Sequence, residues 1–501
     1  MNRPAKMRPD ETKKMEFQTA EEQHDLLRHR RYLSLSLKLG TWIPKRYVVG
    51  IMAFFGFCNI YALRVNLSVA IVAMTSNHSQ NIAGNKTLVI YPDFHYDSHT
   101  KGIILGSFFY GYILTQIPGG YLANRLGGKY LFGGGVFLTA LFTLVTPLCA
   151  NWSDYLLVAV RVLEGLFEGV TYPSIHAIWS KWAPPQEKTK LATLAFSGSY
   201  IGTVISLPLS AALAESAAGW PSIFYVFGCL AILWFVLWCY LVSESPAKHP
   251  SISSAELEYI QGSIGYTEEQ TQDLKPPWRS ILTSLPVWAI VAAHFAENWG
   301  FYTWLTELPT FMNDVLHFNM YQAGFLAALP YLIMAGVVQG SGHLGDFLRA
   351  RRNVSTEAIR KIFTCGAFCF QIVFMIAAGY SSSRTSCMVC LTIAVGIGGF
   401  AWGGFSVNHL DIAPQYASIL MGLSNTFATL PGIISPGLTG AIVTSKGDPG
   451  QWQIVFYIAA AIYVFGAVVY GLLASGSRQK WAEVPTGYLP HRDTGEGELV
   501  D

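Results

Sequence analysis

The chain has 501 residues, of which 51% are hydrophobic and only 13% are charged, and its formal net charge is +2 at pH 7. This composition excludes an ordinary soluble enzyme and favours a polytopic membrane protein. The near-neutral charge implies no nucleic-acid partner.

Apolar runs of about 20 residues, the length that a transmembrane helix needs, recur along the chain. We count twelve, which begin at about 47, 102, 130, 155, 191, 220, 285, 322, 358, 386, 415 and 452. The sequence therefore predicts an all-α membrane protein of twelve transmembrane helices in two six-helix halves. We expect a cytoplasmic N-terminal tail (1–46), an N-terminal half (47–243), a cytoplasmic linker (244–280), a C-terminal half (281–474) and a cytoplasmic C-terminal tail (475–501).

Basic residues predict the orientation, because cytoplasmic loops of membrane proteins carry an excess of Lys and Arg. Arg46 precedes the first run, and Arg125 and Arg349 fall in alternate loops after it. Both termini are therefore predicted to be cytoplasmic.

Two short segments predict glycosylation and sorting. The long loop after the first run faces the lumen or the cell exterior, and its sequons predict glycosylation at Asn77 and Asn85. In the N-terminal tail, Glu22 with Leu26 and Leu27 fits an acidic dileucine signal. This motif predicts a sorting adaptor as a partner and the lysosomal membrane as the location, with the plasma membrane as the main alternative.

A weak internal repeat follows the second and eighth runs, at the same place in each half. Gly120-Tyr-Leu-Ala-Asn124-Arg125 is echoed by Gly342-His-Leu-Gly-Asp346-Phe-Leu-Arg349. Glycine lets two helices meet closely, while the polar group caps a helix and pairs with arginine. The repeat predicts a cytoplasmic gate formed by Asn124, Arg125, Asp346 and Arg349.

The fourth run contains three charges at positions i, i+3 and i+7, namely Arg161, Glu164 and Glu168, which share one helix face. Each charge costs about 2.5–3.5 kcal/mol at a bilayer centre, so this face is expected to point to a protein interior. The cluster predicts a pathway for protons or ions, and the alternative is a structural ion pair that locks helices together. His176 in the same run is a candidate proton relay, or else a hydrogen-bonded structural residue.

Arg64 lies about 25 Å along the first run, too deep to reach the cytoplasmic interface. It predicts a contact for an anionic substrate, because guanidinium matches carboxylate bidentately, and the alternative is an ion pair with an acid on another helix. His294 and Glu297, at i and i+3, form a second candidate proton or substrate site, for which Arg64 is a candidate partner. Four other polar residues complete the candidate substrate site: Tyr112, Asn298, Ser424 and Asn425.

The sequence contains no catalytic triad, metal-ligand cluster or phosphate-cradling glycine loop. We therefore predict no catalytic residues, no metal site and no cofactor. A non-transporting receptor or a membrane-embedded enzyme stays open as a function of another class.

The repeated loop, together with the tracts 61–68, 106–120, 161–185, 285–309 and 408–432, resembles the organic anion transporter family of the major facilitator superfamily. This family includes sialin, the vesicular glutamate carriers and the sodium-phosphate-type carriers. The resemblance implies alternating access and proton-coupled symport of organic anions, such as sialic acid or other acidic sugars, out of lysosomes. The alternatives are sodium-dependent phosphate or organic anion cotransport at the plasma membrane, and uptake of acidic amino acids at the synaptic vesicle membrane. The implied partners are a small organic anion, a coupling proton or sodium ion, and the lipid bilayer.

Carried over residue by residue, Arg64 matches the family's first-span arginine, and the fourth-run charges match its charged motif. The resemblance also adds Lys129 to the gate and His176 to the functional residues. Vesicular glutamate carriers have arginine at the position of Glu297, whereas phosphate-type carriers have glutamate there but lack the first-span arginine. A sialin-like transporter is the best fit.

We hypothesise that acidic pH protonates Glu168 or Glu164, weakens the hold of that acid on Arg161 and frees the halves to rock. The substrate carboxylate then meets Arg64, and proton and anion cross together. The sequence does not decide which glutamate carries the proton.

Overall fold

The computed structural model describes residues 43–483 apart from 76–77, 83–85, 91–92, 97, 265–274, 319, 353, 382 and 446–447. Asn77 and Asn85, and the sorting motif of Glu22, Leu26 and Leu27, lie outside the described residues. Glycosylation and sorting therefore stay predictions.

The N-terminal half is built from helices that follow the apolar runs. Its elements are α1 (Lys45–Thr75), β1 (His78–Ile82), β2 (Lys86–Ile90), α2 (Ser98–Leu126), α3 (Gly128–Trp152), α4 (Asp154–Glu168), α5 (Thr171–Trp182), α6 (Lys188–Glu215) and α7 (Pro221–Leu241). The two strands form an antiparallel hairpin in which His78 lies opposite Ile90. This hairpin lies in the loop after α1 and is an addition to the all-helical architecture that the sequence predicted.

The second part of the chain repeats the helical pattern. Its helices are α8 (Ser254–Ile264), α9 (Trp278–Thr283), α10 (Leu285–Asp314), α11 (Met320–Arg352), α12 (Thr356–Gly379), α13 (Arg384–Ile397), α14 (Gly399–Ile412), α15 (Ala417–Ile442) and α16 (Pro449–Leu473). Short 3₁₀ helices occupy Pro246–Lys248, Pro414–Tyr416 and Lys480–Ala482.

Within the described residues, eight helical segments are long and apolar enough to cross a membrane, and one of them is the α13–α14 segment, Arg384–Ile412. Four further segments, which are more polar, lie between these eight: α2, α10, α11, and α4 taken together with α5. At 1.5 Å per residue, the 29, 30 and 33 residues of α2, α10 and α11 suffice to span a bilayer. Together these segments form the twelve-helix fold that the sequence predicted.

Two of the spans are broken. The fourth span changes from α4 to α5 at Gly169 and Val170, directly after Glu168. The tenth span changes from α13 to α14 at Gly398. Both breaks are single irregular turns, because Gly169, Val170 and Gly398 keep right-handed helical dihedrals and the backbone hydrogen bonds continue through them. Each break lies beside a buried acid, Glu168 in the fourth span and Glu297 at the tenth.

The basic residues before α1 connect the N-terminal half to the predicted linker. Arg46 is fully buried, and its Nε and Nη1 atoms lie 2.5 Å from Glu187 and 3.0 Å from Glu256 of α8. Burial alone would raise the pKa of the Glu187 carboxyl, but the charges of Arg46 and Lys190 lower it below the ordinary value. These groups all lie at the end of the bundle predicted to be cytoplasmic, which we call the cytoplasmic end.

Close contact between α2 and α4 depends on glycine. A Cβ atom added to Gly165 would lie 2.0 Å from the carbonyl oxygen of Phe108, and one added to Gly111 would lie 2.0 Å from that of Val162. A side chain at either position would therefore force the two backbones apart. Because α4 carries the charged residues of the fourth run, this contact also sets their position.

We predict that Gly165→Ala destabilises the protein by about 1–3 kcal/mol, the usual cost of overpacking a well-packed interface. Its matched control is Gly134→Ala in α3, where an added Cβ meets no atom within 4 Å. We expect the control to keep the melting temperature or raise it, because alanine favours helix over glycine. Thermal melting of the detergent-solubilised protein measures both. Equal melting temperatures for the two variants would contradict the proposed close contact.

Candidate functional site

The two copies of the repeated loop make equivalent contacts across the halves. Asn124 donates from Nδ2 to the carbonyl oxygen of Gln415 at 2.9 Å, and Ser418 donates to Asn124 Oδ1 at 3.2 Å. In the other copy, Asp346 accepts from the backbone N–H of Lys190 at 2.8 Å. Each loop thus holds the beginning of a helix in the opposite half, α15 in one case and α6 in the other. At the first copy, the neutral amide of Asn124 makes this contact, whereas the second copy uses the acid Asp346.

Arg349 adds a contact across the halves at the second copy, because its Nη1 donates to the carbonyl oxygen of Pro185 at 2.6 Å. Arg125 and Lys129 do not bridge the halves in this way. Arg125 is exposed and lies over the ring of Tyr121 on its own helix, while Lys129 Nζ donates to the carbonyl oxygen of Cys239 in the same half. In this conformation their contacts lie within the N-terminal half, and their role in the gate stays a prediction.

An ion-pair network reinforces the gate, and two of its members, Lys188 and Arg360, were not predicted as gate residues from the sequence. Asp411, at the end of α14, lies 2.5 Å from Lys188 of α6 and 2.7 Å from Arg360 of α12. Arg360 also donates to the hydroxyl of Thr189 at 3.2 Å. This network joins the halves and closes the cytoplasmic end. Arg360 has no separate signal in the sequence, because it lies beside Lys361 at the beginning of its apolar run, where basic residues are usual.

Arg64 and Glu168 form an ion pair in the interior of the bundle. The guanidinium contacts a single carboxylate oxygen, Oε1, with Nε at 2.8 Å and Nη2 at 2.5 Å. Arg64 is 8% exposed and Glu168 is fully buried. Glu168 Oε2 has no hydrogen-bond partner within the described part of the chain. The pair is therefore buried but asymmetric, since one carboxylate oxygen is unused.

Aromatic side chains surround the Arg64 guanidinium. Its central carbon lies 4.6 Å from the ring centroid of Tyr112, 4.7 Å from that of Tyr61 and 5.1 Å from that of Phe108. Tyr302 of α10 adds a hydroxyl 3.4 Å from Nη1. Rings and hydroxyl stabilise a positive charge that has little contact with water. Contacts from both halves therefore converge on this one cation.

Arg161 and Glu164 form a second ion pair, separate from the first. Glu164 Oε1 also accepts from the hydroxyls of Thr143 and Thr146, at 3.0 and 3.1 Å. Arg161 Nη2 lies 3.4 Å from the backbone carbonyl oxygen of Arg64. The pairing that we hypothesised is thereby corrected for one acid: Glu168 holds Arg64, whereas Arg161 is held by Glu164.

A chain of buried imidazoles connects the halves. His176 of α5 faces the carbonyl oxygen of Ser406 at 3.0 Å, and His409 contacts the same oxygen at 2.8 Å. The Ser424 hydroxyl lies 2.9 Å from His409 and 3.1 Å from His294. All three imidazoles are fully buried. The sequence analysis named His176, His294 and Ser424 separately, and the structure brings them into one network with His409.

Asn425 and Asn298 take different places. Asn425 donates to the Tyr112 hydroxyl at 3.0 Å and to Gln116 Oε1 at 2.9 Å. Its amide therefore contacts one of the aromatic residues that surround the Arg64 guanidinium. Asn298 donates to the carbonyl oxygen of Ala428 and so links α10 to α15. Asn425 is thus close to the buried cation, while Asn298 contributes to packing between helices.

Glu297 is not a partner of Arg64, contrary to the pairing that the sequence analysis considered. It is 1% exposed and forms a hydrogen bond with Gln371 of α12. Both side chains lie against Gly398, where an added Cβ would meet Glu297 Oε1 at 2.4 Å and Gln371 Nε2 at 2.6 Å. Glu297 is therefore a buried acid beside the break of the tenth span.

Tyr302, Thr143 and Thr146 are the other members that the sequence analysis missed. Tyr302 follows Asn298 by four positions and hence shares its helix face, a rule that would have identified it. The two threonines lie in an apolar run in which hydroxyls usually bond to their own helix, so the pattern does not predict their contact with Glu164.

The arrangement can hold an anion but resembles no catalytic centre. A buried guanidinium with donors shared between one carboxylate oxygen and a phenol can accept a second carboxylate in place of the first. Within the described residues, no group of three or more His, Cys, Asp or Glu side chains is placed to hold a metal ion.

Comparisons with known proteins agree with this geometry. The family described as Major Facilitator Superfamily matches residues 49–436. Sialin of Homo sapiens is 48% identical over 453 residues, which cover 87% of this chain and 90% of that protein. Vesicular glutamate transporter 3 of Danio rerio is 44% identical over 465 residues, which cover 92% of this chain and 78% of that protein.

A solved structure supports the fold alone. It is a crystal structure of the Major Facilitator Superfamily transporter FucP in the outward conformation, with a TM-score of 0.60 and 12% identity, covering 85% of this chain and 99% of that one. The resemblance seen in the sequence is thus confirmed. The chain belongs to the Major Facilitator Superfamily, in which it is a sialin-like organic anion transporter and not an enzyme.

Proposed function

We propose that this transporter is a proton-coupled symporter of organic anions, and that it carries acidic sugars such as sialic acid out of lysosomes. The observation that carries the proposal is the buried ion pair of Arg64 and Glu168, which uses one carboxylate oxygen and leaves the other without a partner. In this site a substrate carboxylate and a protein carboxylate compete for one guanidinium.

Charge balance explains why proton and anion cross together. In the empty transporter, Arg64 and Glu168 neutralise each other. A proton on Glu168 alone would leave the guanidinium unpaired in the membrane interior, and an anion on Arg64 alone would place two carboxylates on one cation. Breaking a buried ion pair costs about 3–5 kcal/mol, so each event alone is disfavoured. When both occur, Arg64 pairs with the substrate, Glu168 is neutral, and the buried charge is again zero.

The second ion pair has a supporting role in this proposal. Glu164 is held by Arg161 and by two threonine hydroxyls, so it already has more partners than Glu168. Arg161 contacts the backbone of Arg64 and thereby positions the first span. We therefore assign the transported proton to Glu168, with Arg161 and Glu164 as positioning residues.

The surroundings of Arg64 favour an acid with hydroxyl groups. The hydroxyl of Tyr302, and the amide of Asn425 next to Tyr112, offer polar contacts for such groups beside the guanidinium. Glu297 stands where the vesicular glutamate carriers have arginine, so this position offers no second cation to a substrate with two carboxylates. This feature separates the chain from a dedicated glutamate carrier. The name of the relative sialin agrees with an acidic sugar.

Location in the lysosome fits this chemistry, because an acidic lumen supplies the proton and drives export. The acidic dileucine motif of the N-terminal tail supports the same location.

We predict that Glu168→Gln abolishes uphill, proton-driven transport of labelled sialic acid in proteoliposomes but keeps exchange of internal for external anion. Glutamine imitates the protonated acid, so the loaded transporter still reorients, whereas the empty transporter is left with an unpaired Arg64. Flux under an imposed pH gradient and exchange without a gradient measure the two reactions. Glu307→Gln, a half-buried acid of α10, is the matched control and should keep both.

Unchanged proton-driven accumulation in Glu168→Gln would remove this acid from the mechanism. The same assay with sodium replaced by an inert organic cation separates the proposal from its main rival. Transport that stops without sodium would favour a sodium-dependent cotransporter.

We predict that Arg64→Lys raises the KM for sialic acid about tenfold to a hundredfold. Lysine keeps the charge but loses the two-pronged contact, and hydrogen bonds to charged groups contribute about 1.5–3 kcal/mol each. Initial rates over a range of concentrations measure KM, and a panel with glucuronate, glutamate and phosphate tests the substrate class. Arg279→Lys, at an exposed arginine of α9, is a matched control that should leave KM unchanged. An unaltered KM in Arg64→Lys would assign Arg64 a structural role only.

We predict that replacing Leu26 and Leu27 by alanine moves the protein from lysosomes to the plasma membrane, because an adaptor no longer recognises the tail. Co-localisation with a lysosomal marker, and surface biotinylation, measure the change in cells. Replacing Leu33 and Leu35 of the same tail is the control. A double variant that stays in lysosomes would assign sorting to another segment.

A further inference from the structure

We propose that Glu297 is a second proton-binding site, in the C-terminal half, and that its proton moves with the substrate in each transport cycle. The inference rests on the proposed function, to which it adds a second coupling proton. Its physical basis is a buried acid without a cation, which the exchange at Arg64 and Glu168 does not use.

Burial and the missing partner indicate that Glu297 is neutral in this conformation. The side chain is 1% exposed, and no ion pair to it is found within the described residues. A carboxylate without a cation is strongly disfavoured in a membrane interior, whereas a protonated acid is tolerated. Arg360, the nearest buried arginine on α12, lies about 16 Å along that helix from Gln371 and is paired with Asp411.

The groups around Glu297 are suited to a carboxylic acid. Gln371 forms a hydrogen bond with it and donates to the Tyr463 hydroxyl at 3.2 Å, while Gln371 Oε1 and Glu297 Oε2 have no partner among the described residues. A proton on Glu297 supplies the donor that an unused amide oxygen lacks. A carboxylate would instead add a further acceptor to a site that already has too many.

The titratable groups that face Glu297 from other helices are phenols. Tyr200 of α6 and Tyr463 of α16 are near the carboxyl, and Tyr331 of α11 adjoins them. The residues of α15 and α16 include no charged side chain, and on α14 the nearest titratable group is His409 of the imidazole chain. None of these groups supplies the positive charge that would hold a carboxylate.

The break in the tenth span connects this site to the gate. Glu297 and Gln371 lie against Gly398 at the beginning of α14, and Asp411 at the end of the same helix holds Lys188 and Arg360. Opening the cytoplasmic end separates Asp411 from Lys188 and frees α14 to move relative to α13. Movement at Gly398 then changes the surroundings of Glu297, which gives the acid a route to release its proton on the cytoplasmic side.

His294 provides a candidate path for the proton. It lies three positions before Glu297 on α10, and its Nε2 has no partner among the described residues. Through the Ser424 hydroxyl it connects to His409. The path ends there, because the group that joins His409 to His176 is the backbone carbonyl of Ser406, which cannot carry a proton.

A second proton changes the charge that crosses the membrane. A monovalent anion carried with one proton moves no net charge, so voltage has no effect on its equilibrium accumulation. With two protons one positive charge moves, and the accumulation ratio changes tenfold for each 59 mV. Voltage therefore distinguishes the contribution of Glu297 from that of Glu168.

The test compares wild type, Glu297→Gln and the matched control Glu307→Gln in proteoliposomes that take up labelled sialic acid from the medium under an imposed potential. Wild type and control should show the tenfold dependence, whereas Glu297→Gln should accumulate substrate in response to the pH gradient with no dependence on voltage. Glu297→Asp keeps the carboxyl and should keep the voltage response. Voltage dependence that is equal in wild type and Glu297→Gln overturns the proposal, as does a response that requires sodium.

A second measurement needs no substrate and keeps the two proposals separate. The infrared spectrum of wild type minus that of Glu297→Gln should show the carbonyl stretch of a protonated carboxylic acid at neutral pH. The spectrum of Glu307→Gln minus that of Glu297→Gln should show the same band. An absent band overturns the proton site even if transport is normal. A present band with no transport of any anion in the panel overturns the proposed function and leaves the proton on Glu297.

Discussion

The structure depends on one constraint: a charge inside the membrane needs a partner. Arg64 lies deep in the bundle, and Glu168 is the acid that neutralises it. Around this pair the other features acquire a reason. The glycines that bring α4 against α2 set the position of Glu168 relative to Arg64, and the aromatic rings shield the guanidinium. The pair of Arg161 and Glu164 holds the first and fourth spans in register. A transporter can exploit the constraint, because a partner that is obligatory can still be exchanged.

The sequence was informative about where charges lie but not about which charges meet. Spacing placed Arg161, Glu164 and Glu168 on one helix face, and this is a local property that 3.6 residues per turn determines. The pairing of Glu168 with Arg64 joins residues 104 positions apart, and nothing in local periodicity encodes it. For the same reason the repeated loops predicted a gate, yet their targets at the beginnings of α6 and α15 emerged only from the fold.

Other omissions have similar causes. The twelve apolar runs predicted the helices well, because length and hydropathy decide whether a segment crosses a bilayer. They did not predict the breaks at Gly169 and Gly398, since a glycine in an apolar run is equally compatible with close packing in an unbroken helix. Lys188 and Asp411 flank spans in positions typical of interfacial charges, so their ion pair across the halves gave no separate signal.

The position of the charges also separates the pH-sensitive part of the molecule from the part that is insensitive. At the cytoplasmic end, Arg46 and Lys190 keep the pKa of Glu187 below its ordinary value, so the carboxylate stays ionised and its stabilising contribution is lost only as pH falls through that lowered value. Cytoplasmic pH is well above this window, so this contact between the N-terminal half and the linker does not respond to protons there. The acids without such a surplus of cations include Glu168 and Glu297, each beside an interruption of a span. In the gate, Asp411 joins the halves and is paired with two cations, Lys188 and Arg360. Protonation of an acid in the centre therefore leaves this ion pair intact.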